Sequence, residues 1–150
     1  MKLEGSHKIA APKAAVWRAL LDPAVLQRAI PGCEKLEATG EHTYRATLKA
    51  GVGSIQGKFA GEVALTEIVE EKSFTLTSRA KATVGFVEGK GKVALEAAGK
   101  ETLVKFSGEV KTGGMLAAVG GRLLEAAAQK NLNEMFENLA RECKKGSSQR

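Results

Sequence analysis

Residues 113–140, "GGMLAAVGGRLLEAAAQKNLNEMFENLA", decide how this chain folds. Leu116, Val119, Leu123, Leu124, Ala127, Ala128, Leu132, Met135, Phe136 and Leu139 recur at helical spacing and form one apolar stripe. The spacing predicts a single helix from about Gly114 to Cys143, roughly 45 Å long at 1.5 Å per residue. Gly120 and Gly121 stand side by side within it, although a glycine in a helix interior costs roughly 0.8–1 kcal/mol relative to alanine. Bulk is also uneven: Ala117, Ala118 and "EAAAQ" occupy the first half, whereas Met135, Phe136 and Leu139 cluster in the second.

A helix with one apolar stripe needs a surface to cover, and the preceding residues supply a sheet. "KLEGSHKIA" alternates, with Leu3, Gly5, His7 and Ile9 on one face. Pro12 then suits the first turn of a helix, "KAAVWRALL" follows at helical spacing, and Asp22 ahead of Pro23 can cap a second short helix, "AVLQRAI". Pro31 and Gly32 end it. Period-two segments separated by turn residues continue from there: "CEKLEA", "TYRATLKA", "SIQGKFAGEVALTEI", "SFTLTSRA", "FVEGKGKVALEA" and "TLVKFSGEV". Hairpin-linked neighbours make an antiparallel sheet, which can leave one face to water while the other is covered. The expected fold is therefore α+β: a curved antiparallel sheet of about seven strands around a long C-terminal helix, with two short helices after strand one. One domain is expected over 1–143, followed by a disordered polar tail over 144–150.

Composition narrows the function. The chain has 150 residues, is 43% hydrophobic and carries a formal charge of +6, with its basic residues scattered among acids. A mixed solvated surface fits this better than a nucleic-acid stripe. No charge-free apolar run approaches the 18 or so residues of a membrane span, and the start "MKLEGSHKIAAPK" lacks the apolar core of a secretion signal. Two distant cysteines, Cys33 and Cys143, form no disulfide framework, so a cytoplasmic protein with free thiols is expected.

Catalytic groups are few. Asp22, the single aspartate, reads as a helix cap, and His42 lies in the turn "TGEHT". His7, on the inward face of strand one, reads as a core histidine before it reads as a general base. No paired His/Cys spacing suits zinc, and "GVGSIQGK" lacks the phosphate-loop spacing. Cys33 reads as a small buried residue and Trp17 as core, with a pocket rim as its alternative.

Glycines recur on the inward strand face at Gly57, Gly61, Gly85, Gly89, Gly91 and Gly108. Two readings follow. The small residues of helix and sheet could meet backbone to backbone, or volume could be withheld at one end to leave an apolar cavity. With aromatic content at only 5%, little bulk is available to fill a wide gap. In the cavity reading the strands contribute Ile55, Phe59, Val63, Leu76 and Phe106. The helix contributes Leu116, Val119, Gly120, Leu123 and Leu124, with Met115 and Leu116 beside Gly113 and Gly114 as a mobile entrance.

The segments "DPAVLQRAIPGCEKLE" and "GGMLAAVGGRLL", within a match running from Leu3 to about Leu139, resemble the carbon monoxide dehydrogenase G-subunit family of the START-like (helix-grip, SRPBCC) superfamily. The resemblance implies a deep apolar cavity and a non-enzymatic accessory role beside a molybdenum hydroxylase of the carbon monoxide dehydrogenase type. The cargo it implies is a lipophilic small molecule such as a quinone, with no further cofactor. An adaptor for the oxidoreductase or its membrane recruitment is the alternative, and a cyclase or hydrolase the third reading. Some members continue into an apolar anchoring tail where this chain reads "CKKGSSQR", so at most a transient, peripheral contact with the inner membrane face is expected.

Overall fold

In the computed structural model, which describes residues 1–148, alternation in the sequence becomes one seven-stranded sheet. The elements run β1 (Lys2–Ile9), α1 (Lys13–Leu21), α2 (Pro23–Ala29), β2 (Cys33–Ala38), β3 (Thr43–Val52), β4 (Ile55–Val69), β5 (Ser73–Ala82), β6 (Gly85–Ala98), β7 (Glu101–Gly113), α3 (Met115–Ala118) and α4 (Gly121–Ser148). Strand order is β1-β7-β6-β5-β4-β3-β2, and every pairing is antiparallel. Four hairpins in succession build the sheet from β3 to β7, and the first strand then closes against the last. Register shifts in β2 and in β4 between Thr66 and Val69 are the bulges that help it curl.

Glycine supplies the remaining bend. Gly91 and Gly108 face each other across β6 and β7, and a Cβ at either would meet backbone of the opposite strand within about 3 Å. No side chain fits there, so backbone closes on backbone.

The helix expected from Gly114 to Cys143 is in fact two helices. Val119 caps α3, and Gly120 adopts φ +97°, outside helical geometry, before α4 begins at Gly121. A side chain at Gly120 would be strained in that backbone, which is why glycine stands there. The polar tail expected at 144–150 begins within the span of α4, and its last two residues lie outside the described residues.

The core gathers at one end. Trp17 of α1 meets Phe74 edge to face at 5.7 Å, and Phe136 and Leu139 of α4 are buried beside Val16, Leu20 and Val104. Polar groups fix this end. Asp22 accepts from the Ala24 N–H at 3.0 Å and caps α2, Tyr44 Oη donates to the Leu21 carbonyl at 3.0 Å, and Asn138 Nδ2 donates to the Ala29 carbonyl at 2.9 Å. Fully buried Thr102 donates through Oγ1 to the Ala11 carbonyl at 2.7 Å. Gln27 of α2 reaches edge strand β2 with both ends of its amide, donating to the Glu34 carbonyl and accepting from the Leu36 N–H. That covers backbone groups that an open edge would leave unpaired.

Candidate functional site

Antiparallel register sets inward side chains in rows across the sheet. One row reads Tyr44, Val63, Ser78, Gly89 and Val110, and the row two residues along reads Ala46, Gly61, Ala80, Val87 and Thr112. Serine, alanine and glycine hold the middle of both rows, so little projects from the sheet there. Above them the first half of α4 offers Gly121, Leu124, Ala127 and Ala128. Small facing small does not close the gap. A Cβ on Gly121 would meet nothing within 4 Å.

The gap has two lobes. The larger, about 1080 Å³ and open to solvent, lies over the row from Tyr44 to Val110 and is bounded by Ala117, Gly121 and Leu124. The smaller, about 230 Å³, is lined by Leu48, Ala50, Phe59, Ala80, Val87, Leu116, Ala127 and Ala128 with Asn131 at its side. Met1, Val110, Thr112 and Leu124 line both. Together they are of the size that holds a small organic molecule.

Of the eleven residues expected to line the cavity, Phe59, Val63, Leu116 and Leu124 do so. Seven do not. Phe106 is 9% exposed and stacks on Phe136 at 5.4 Å, inside the core. Leu76 packs against that core, and Ile55 begins β4 opposite Val52, which lines the smaller lobe where Ile55 does not. Val119 and Gly120 form the break between α3 and α4. Met115 and Leu123, 57% and 56% exposed, point to solvent. The entrance expected at Met115 and Leu116 divides accordingly: Leu116 is buried, and its N–H donates to the Val84 carbonyl at 3.1 Å, which pins α3 to the sheet. Sequence reasoning passed over Ser78, Ala80 and Thr112. Their inward register was legible in the alternation, but a search for large apolar side chains does not select small or hydroxylated ones.

The tempting reactive residues lie elsewhere. His7 stacks on Phe136 at 4.8 Å, and its Nε2 is 3.1 Å from Asn133 Oδ1, an arrangement that joins β1 to α4. Burial pushes the Cys143 thiol above its usual pKa, with Glu142 adding to the effect. Burial likewise raises Cys33, with Glu34 adding to it, against a backbone hydrogen bond from Lys35 that lowers it. Trp17 is core, 6% exposed. Among the described residues, no three His, Cys, Asp or Glu side chains gather as a metal site, and no helix is long and apolar enough to cross a membrane.

A long helix held against a curved seven-stranded sheet, with a void between them, is a START-like, helix-grip fold. Residues 5–144 match the family of the carbon monoxide dehydrogenase G-subunit (CoxG), and the chain belongs to it. Its fold is similar to that of a conserved protein from Geobacillus kaustophilus, with a TM-score of 0.92, 28% identity, and coverage of 97% of this chain and 96% of that one. A START superfamily protein from Mycobacterium smegmatis aligns with a TM-score of 0.76 at 12% identity over 96% and 97% of the two chains. The Zhui aromatase/cyclase from Streptomyces sp. R1128 aligns at 0.69 and 14% identity over 96% and 93%. Among curated proteins, none matches the chain.

Proposed function

We propose that this chain is a non-enzymatic carrier that holds a lipophilic small molecule, such as a quinone-like lipid, between its sheet and α4. One observation carries the reading: small residues hold the middle of the inward rows of the sheet and part of the facing helix, yet sheet and helix stay apart and leave an apolar lobe that shares Val110, Thr112 and Leu124 with a larger open one. Burying apolar ligand surface contributes roughly 25 cal/mol per Å² before association costs, so a molecule burying a few hundred Å² would be held without any covalent step. Membership of the CoxG family supports an accessory role beside a molybdenum hydroxylase of the carbon monoxide dehydrogenase type.

Uptake of the neutral dye N-phenyl-1-naphthylamine tests this. The wild type is expected to enhance its fluorescence saturably. Ala80→Leu combined with Ala127→Phe, which fills the smaller lobe from both sides, is expected to abolish the enhancement while the cooperative melting transition remains. If the filled variant takes up dye as the wild type does, the gap is not the binding site. If the filled variant still engages the oxidoreductase but nothing enters the wild type, the chain is an adaptor.

A further inference from the structure

The sheet has two edges, β1 and β2, and they are treated differently. At the β2 edge the strand is short, its register shifts between Cys33 and Lys35, and the Gln27 amide takes up backbone groups of Glu34 and Leu36. Such devices keep another chain from adding on. At the other edge β1 pairs with β7 without interruption from Lys2↔Glu109 to Ile9↔Thr102. Lys2, Glu4, Gly5, Ser6 and Lys8 are exposed there.

The hydrogen bonds at the start of β1 fix which backbone groups lie open. The Met1 ammonium donates to the Val110 carbonyl at 3.0 Å, and the Val110 N–H donates back to the Met1 carbonyl at 2.7 Å. Hydrogen-bonded pairs alternate along an antiparallel ladder, so Leu3, Gly5, His7 and Ile9 also turn their N–H and C=O toward β7. Lys2, Glu4, Ser6 and Lys8 turn theirs to the free edge. Among the described residues, none hydrogen-bonds to those groups.

The side chains of the same residues select a partner. Two copies meeting edge to edge about a twofold axis at Ser6 bring these backbone groups together and set Glu4 of each opposite Lys8 of the other. On the inward face, buried Leu3 then faces buried Ile9. An axis at Gly5 would set Lys2 against Lys8, and one at Glu4 would set that carboxylate against itself. An axis at Leu3 matches Lys2 with Glu4 but leaves Ser6 and Lys8 unpaired. The Ser6 register alone joins most of the strand with opposite charges opposed. Glu4 is available for it, because its contact with Lys2 spans 3.9 Å between side chains 66% and 64% exposed.

We propose that a second copy of this chain adds to β1 in that register, so that the two sheets continue as one. The interface is isologous and uses main-chain hydrogen bonds for affinity and the Glu4–Lys8 pairs for register.

Sedimentation equilibrium over a concentration series tests it. The wild type is expected to dimerise reversibly. Glu4→Lys, which turns both charge pairs into repulsions, is expected to weaken the dimer at least about tenfold with the melting transition kept. Adding Lys8→Glu to Glu4→Lys is expected to restore it. Ser6→Cys is expected to link two chains under mild oxidation, since paired Cα atoms about 5.5 Å apart suit a disulfide, whereas Lys2→Cys and the wild type are not. A wild type that stays monomeric, a double variant no tighter than Glu4→Lys, or Lys2→Cys linking as readily as Ser6→Cys overturns the proposal.

Discussion

At the scale of single residues, Gly120 and Gly121 are adjacent and do different things. Gly120 is fixed by its backbone, at φ +97°, whereas Gly121 opens α4 in free space. Alanine should therefore have opposite effects. Gly120→Ala is expected to destabilise by about 1–3 kcal/mol through strain, and Gly121→Ala to stabilise by about 0.4–1 kcal/mol through the unfolded chain. Urea denaturation of both variants decides it, and equal signs would contradict the assignment. The cost of the glycine pair was visible in the sequence, but its use was not, since spacing does not report a dihedral angle. Thiol chemistry gives a second check. Both cysteines are held above the usual thiol range by burial, so less thiolate is present at a given pH. At pH 8, iodoacetamide should alkylate the native protein much more slowly than the urea-unfolded chain, with Cys143 slower than Cys33. Native rates equal to unfolded ones would show the thiols to be open.

Among the elements, α4 is two unlike halves on one axis. Phe136 and Leu139 are 3% and 0% exposed in the second half, while Leu123 in the first is 56% exposed. Truncation should follow that division: Phe136→Ala is expected to cost about 3–5 kcal/mol, and Leu123→Ala to stay within about 0.5 kcal/mol. Thermal or chemical melts measure both, and a large loss at Leu123 would mean that the first half packs more tightly than its exposure shows. The strands, their alternation and the two short helices were legible because each has a strong period and its own punctuation, such as Asp22 before Pro23. The break at Gly120 was hidden by the same logic. Leu116, Val119 and Leu123 keep helical spacing across it, so the apolar stripe reads as continuous even though the backbone is not.

For the molecule as a whole, bulk is concentrated where α1, α2 and the second half of α4 meet, and withheld where the sheet faces the first half. The gradient in side-chain size along the helix was legible, but it left open whether the small residues met backbone to backbone or stayed apart. Individual lining residues were harder to read. Phe106 has the size and register of a cavity wall, but Phe136 and His7 stack beside it and draw it into the core. Ser78 and Thr112 are defined by what does not fill the space next to them, a property of several strands at once. The central claim, that the gap exists to be occupied, is tested most directly by native mass spectrometry of the protein purified without detergent, followed by organic extraction. The account predicts an extractable apolar small molecule bound to the wild type and missing from the Ala80→Leu, Ala127→Phe variant. An equal amount recovered from both, or wild-type protein that carries nothing and takes up no added lipid, would contradict it.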